Sequence, residues 1–135
     1  MEISTMQELI RNIKESKKKL KEVSAPQLTD VAAIPALYEC FLSLMPEKRM
    51  PQKKQKYLFV AVIVKLYSPI SYVGVSLPRG IRTPLAEVLH YNSSAAISVA
   101  VKKVIYEYKI YSKFRSEVDQ ICNYILSVYP SLATT

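Results

Sequence analysis

The chain has 135 residues, half of them apolar, which is enough for one packed domain and too hydrophobic for a disordered tail. Nineteen Lys and Arg against eleven acids leave a net charge of +8, which favours an anionic partner: nucleic acid, an acidic protein or an anionic membrane surface. No apolar run approaches the roughly 18 residues of a membrane span, and the charged N-terminus lacks the unbroken apolar stretch of a signal peptide, so a soluble intracellular protein is expected.

Residues 3–20 place Ile3, Met6, Ile10, Ile13 and Leu20 at alternating three- and four-residue spacing, with Lys17 interrupting the series. That is a narrow apolar stripe on a polar helix, the pattern of a two-helix seam. It is expected to meet a second copy of the chain or a protein partner. Lys17, Lys18, Lys19 and Lys21 close the helix, where positive charge suits its negative end. Ser24-Ala25-Pro26 breaks it. A second helix is expected over about residues 27–45, with Leu28, Val31, Ile34, Leu37, Tyr38, Phe41 and Leu42 on one face and Pro35 as a kink or boundary. PEKRMPQKKQK, residues 46–56, reads as an exposed basic linker. It divides an N-terminal helical arm, residues 1–47, from a second domain, residues 48–135.

YLFVAVIVKLY, residues 57–67, is apolar nearly all round, and its Val and Ile content would permit a buried strand. Ser68-Pro69 ends it. Residues 68–82 hold both glycines and are expected to form an irregular insertion. Thr83-Pro84 has the form of a helix start, a capping hydroxyl followed by proline. That helix would run to Tyr91 with Leu85, Val88 and Leu89 inward. Asn92-Ser93 makes a turn, and Ser93 or Ser94 caps the next helix. Its core face is Ile97, Val101, Val104 and Tyr108; its outer face is Ser94, Ala95, Ser98, Lys102 and Lys109; Tyr106 and Tyr111 fall at or near the edge of the core face. Phe114, Val118, Ile121, Cys122 and Ile125 define a last helix or a continuation, which Pro130 should stop, leaving SLATT to fray. The fold class is therefore all-α: a helical arm, then a helix-turn-helix with an irregular insertion.

Two short helices joined by a polar turn suit a DNA-binding helix-turn-helix and ordinary helix packing alike. A recognition helix needs small or hydrogen-bonding residues at its start, so that the backbone can approach base edges, and cations a turn or two later beside phosphates. Ser94, Ala95 and Ser98, followed by Lys102 and Lys103, meet that order. Ser93 and the free amides at the helix start add a phosphate-binding end. Arg79 and Arg82, ahead of the first motif helix, and Lys53, Lys54 and Lys56, in the basic stretch, are further candidates for phosphate contact.

LAEVLHYNSSAAISVAVKKV resembles the C-terminal DNA-binding domain of the bacterial replication initiator DnaA. That family has a helix, a turn, then a helix opening Asp-His-Thr-Thr and continuing through a small residue to Arg-Lys. In register, Ser93-Ser94-Ala95-Ala96 fall on the first four positions and Lys102-Lys103 on the last two. KYLFVAVIVKLY is similar to the family's first helix, MPQKKQK lies where the family has a basic loop that contacts the minor groove, and FRSEVDQICNYIL is similar to its closing helix. The resemblance covers about residues 48–128 and implies duplex DNA binding in a regulatory or replication-associated role, in a bacterial cytoplasm or a phage-infected cell. The chain departs from the family at Ser94-Ala95, which replace the base-reading His-Thr pair, and in its insertion. It also lacks GxxxxGK[ST], so no nucleotide-binding domain is expected.

Other chemistry finds little support. His90, the only histidine, has no Ser, Cys or carboxylate at a telling spacing, and packing or turn capping suits it better than catalysis. Cys40 and Cys122 lack metal-ligand spacing and read as buried free thiols. No catalytic group, metal or cofactor is expected. The ten tyrosines read as core-edge or interface residues before base-stacking platforms. The competing class is an oligomeric structural or adaptor protein of a virus or mobile element, its basic, tyrosine-rich surface turned to protein contacts.

Overall fold

The computed structural model describes residues 2–45 and 51–133, with side chains to residue 130. Among these residues the chain is all-α, with six helices and no strand: α1 Ile3–Val23, α2 Ile34–Leu44, α3 Gln52–Tyr67, α4 Arg79–Val88, α5 Ser94–Ile110 and α6 Ser112–Ala133. Short 3₁₀ turns, Val31–Ala33 and Pro69–Val73, precede α2 and follow α3.

α3 is the centre. Residues 58–64 are all buried, and α2, α5, α6 and the Pro69–Val73 turn pack around them. The strand that its Val and Ile would permit does not form. A buried strand needs a neighbour to pair its backbone groups, and no other described segment is extended enough to serve; a helix pairs them internally. Tyr38 and Phe41 pack tilted against Phe59 where α2 crosses, with ring centroids 4.9 and 5.2 Å from it.

α2 starts at Ile34 instead of residue 27, and Pro35 marks its start. Before it the chain is tied to the end of α3: the amides of Gln27 and Leu28 both donate to the Leu66 carbonyl at 3.0 Å, satisfying a last-turn acceptor that the helix cannot. Tyr67 adds its hydroxyl to the Asp30 carbonyl at 2.7 Å. Val31 is exposed, but Leu28, Ile34, Leu37 and Phe41 belong to the same core as α3 to α6. The boundary expected at residue 47 thus falls after α1, which buries none of its residues. Of the expected linker, residues 46–50 lie outside the described residues, and from Gln52 onward the chain is already α3.

The insertion is partly ordered by burial. Ser71 and Tyr72 are buried, and the Tyr72 hydroxyl donates to the Ala61 carbonyl at 2.7 Å. Gly74, at φ 109°, ends the 3₁₀ turn in a conformation that side chains disfavour. α4 then begins at Arg79, four residues before the expected Thr83-Pro84 start, and Pro84 lies inside the helix. Leu77, Ile81, Leu85 and Leu89 recur every four residues and are all buried. An interior proline costs about 3 kcal/mol. Burial of Leu77 and Ile81, at about 1.5–3 kcal/mol each, outweighs it. Pro130 likewise fails to stop α6. It is exposed near the helix end, and the backbone continues helical to Ala133; the last two residues of SLATT lie outside the described residues.

Candidate nucleic-acid interface

α4 and α5 are joined by a capped turn. The Tyr91 amide donates to the Ala86 carbonyl at 2.9 Å and the His90 amide to the Glu87 carbonyl at 3.2 Å, the paired bonds of a helix end whose next residue is left-handed. His90 is that residue, at φ 59°, and is exposed. Ser93 caps α5, accepting from the Ala96 amide at 3.2 Å. The Ser94 and Ala95 amides are left for an outside acceptor.

α5 lies with Ile97, Ala100, Val101 and Val104 buried. The side opposite is open to solvent, and its middle is Ala95, Val99, Lys102 and Tyr106, at spacings of four, three and four residues. Val99 and Tyr106 are 65% and 60% exposed. Neither was singled out for contact from the sequence, and Tyr106 was placed near the core edge. Ser94 and Ala95, expected to face a groove, are exposed. Ser98 is not part of that open face. It is half-buried at the side of α5, and its hydroxyl donates to the Ser94 carbonyl at 2.9 Å. It faces a groove of about 310 Å³ between α5 and the insertion, shared with Gly74, Leu77, Arg82, Lys102 and Lys109. Tyr111, also expected near the core edge, is exposed.

Cations stand on both sides of this face. On one side Arg79 and Arg82 share a concavity of about 400 Å³ with Thr83, Glu87, Asn92, Ser93 and Ser94, so the arginines of α4 meet the capped start of α5. The Arg82 Nε is buried without a hydrogen-bond partner among the described residues. On the other side the first turns of α3 bring Lys53 and Lys54 beside Lys103 and Glu107, around Tyr57. Lys103 lies 4.9 Å and Lys53 5.9 Å from the centre of the Tyr57 ring, and Lys56 lies 5.3 Å from that of Tyr91. Lys53, Lys54 and Lys56 therefore project from a helix, and not from the loop expected for them. Aromatic faces hold these ammonium groups without neutralising them. None of Lys53, Lys54, Lys56, Arg79, Arg82, Lys102 and Lys103 is ion-paired among the described residues; the one ion pair there joins Lys65 to Asp119, on α3 and α6.

That pair belongs to the scaffold. Burial alone would depress Lys65, but its bond to Asp119 and the charges of Tyr108, Asp119 and Cys122 together outweigh this and hold the ammonium above its ordinary value. Tyr108 donates to the same carboxylate oxygen at 2.8 Å, and its ring lies 4.4 Å from that of Tyr72. Beneath them Cys122 is buried, its thiol pushed up to about 12 by burial first and by the Asp119 charge in the same direction. Cys40 is half-buried, less enclosed than expected. No group of three or more His, Cys, Asp or Glu converges among the described residues, and no helix there is long and apolar enough to cross a membrane.

No protein family, curated protein or solved structure matches this chain.

Proposed function

We propose that the chain is a non-catalytic duplex DNA-binding protein that lays α5 into the major groove, in a regulatory or replication-associated role. One observation carries this reading: the open face of α5 is bordered on both flanks by cations that pair with no carboxylate among the described residues. A helix in the major groove lies between two phosphate strands, so it needs positive charge on either side. Arg79, Arg82, the Ser93 end of α5 and Lys56, beside Tyr91, suit one strand, and Lys53, Lys54 and Lys103 the other. Ser94, Ala95 and Val99 are placed for base edges, Val99 for a thymine methyl. The resemblance of LAEVLHYNSSAAISVAVKKV to the DNA-binding domain of DnaA supports the same reading, with a bacterial or phage-infected cytoplasm as its setting.

The test is fluorescence anisotropy of a labelled random duplex against salt. Affinity should fall steeply between low and moderate salt, and Lys102→Ala with Lys103→Ala should make the log–log slope shallower by about 2. Val99→Asp should weaken binding strongly, whereas Ser98→Ala should leave it unchanged. Salt-independent affinity, or indifference to the double lysine change, overturns the assignment of α5. A second reading, an oligomeric structural or adaptor protein of a virus or mobile element, is favoured by the exposure of Val99, Tyr106, Ile110 and Tyr111. It predicts no duplex binding and loss of a protein assembly on Tyr106→Ala.

A further inference from the structure

The groove of about 310 Å³ that Ser98 borders runs between α5 and the segment leading into α4. Its floor is apolar: Leu77 and Val101 are buried and Ile105 is half-buried, while Val75, 48% exposed, stands at its rim. Three cations line it too. Arg82 comes from α4; Lys102 and Lys109 stand two turns apart on one side of α5, with Ile105 between them. No carboxylate among the described residues lines it. In that it differs from the concavity beside Asn92, which holds Glu87, and from the one around Tyr57, which holds Glu107.

Arg82 adds a second observation. Its Nε is closed off from water and is the one buried side-chain polar atom without a hydrogen-bond partner among the described residues. A charged donor shut in without an acceptor is costly, and an acceptor brought to the guanidinium recovers that cost. We propose that the groove binds a small amphipathic anion. Its phosphate or carboxylate head lies between Arg82 and Lys102, and its short apolar body lies along Leu77, Val101 and Ile105.

Size and lining select this occupant. A volume near 310 Å³ is at the lower end of small-ligand sites, whose walls are mostly apolar with a few convergent polar groups. An inorganic anion would leave the apolar floor wet, and a neutral apolar molecule would leave the guanidinium without its acceptor. A duplex strand presents phosphate and polar sugar, which do not cover such a floor. The site stands apart from the DNA reading, but its use rests on it. Arg82 and Lys102 are phosphate contacts in that reading, so an anion held between them takes two cations from the duplex. Ligand and DNA then weaken each other by the same factor, and the ligand acts as a release signal.

The test titrates the full chain with phenyl phosphate and follows backbone amide shifts by NMR. Inorganic phosphate and phenol serve as its charged and apolar halves. Phenyl phosphate should shift residues 74–77 and 98–109 saturably, and each half alone should bind at least about tenfold more weakly. Lys102→Ala and Val75→Glu, both at exposed positions, should each weaken phenyl phosphate about tenfold, the second by placing a carboxylate among the cations. Lys113→Ala removes the same charge outside the groove and should change nothing. Inorganic phosphate binding as tightly as phenyl phosphate overturns the amphipathic class. No saturation by about 10 mM, shifts confined to other residues, or equal affinity in all three variants overturns the site. Phenyl phosphate should also raise the apparent Kd for duplex in the unaltered chain and not in Val75→Glu. Duplex affinity indifferent to a bound ligand overturns the coupling. Absence of duplex binding while the groove titrates as expected strikes the DNA reading, and the coupling with it, and leaves the site standing.

Discussion

His90 acts through its backbone. It holds the left-handed position that closes α4 so that Tyr91 and Asn92 can lead into the Ser93 cap. Glycine reaches that conformation without steric cost, so His90→Gly should raise the melting temperature by about 2–4 °C. His90→Val should lower it, because a β-branched side chain resists positive φ. Thermal denaturation of the two variants is the check. The sequence offers His90 for packing or turn capping and Ser93 or Ser94 for the cap, since a polar cluster between two apolar periodicities carries that information locally, and the structure selects the turn and Ser93. It misplaced Ser98 and Tyr106 because both depend on the phase of α5. Counting outward from the buried Ile97, Ala100 and Val104 puts Ala95, Val99, Lys102 and Tyr106 at the centre of the open side. A lysine-and-serine pattern alone shifted that centre toward the insertion.

Among the elements, α4 shows how a local signal can mislead. Thr83-Pro84 has every property of a helix start, yet Leu77 and Ile81 already belong to the buried series that ends at Leu89. Burial reaches across the chain, and a cap does not. Composition alone left α3 open between strand and helix, because only the placement of its neighbours shows that no strand is there to pair with it. The opposite case is α1, whose apolar stripe was fully readable while its independence from α2 was not. Deleting residues 1–23 should therefore leave the melting temperature of the remaining body within a few degrees of the intact chain's, with the helical circular dichroism reduced by the missing segment. A large drop would mean that α1 supports the core through contacts its exposure does not suggest.

The whole molecule should be sensitive to alkali. Cys122 is held neutral to about 12, against an ordinary 9.0, by burial and then by the Asp119 charge. Tyr67 and Tyr72 are both raised above 10.0, chiefly by burial. Each of these groups keeps its proton in the folded state and releases it at lower pH when unfolded. Stability from them is complete below their unfolded values and is lost as pH rises above about 9 toward the folded ones. Lys65, raised by Asp119, loses its contribution in the same direction. Melting temperature should stay level to about pH 9 and then fall. In Tyr72→Phe the protein should be less stable at neutral pH by about 1 kcal/mol, through the lost bond to Ala61, but should decline less steeply in alkali.

The central position of α3 has a consequence for the life of the chain before it folds. FVAVIV, residues 59–64, contains no charge, proline or glycine, and its side chains favour pleated stacking. Only Lys56 and Lys65 guard its ends as repelling charges. α5 and α6, which cover much of it, follow it along the chain, so a nascent chain carries this segment bare while they are being made. The finished protein hides its most aggregation-prone stretch completely, and heating should yield insoluble material instead of a reversible melt wherever those two helices let go first.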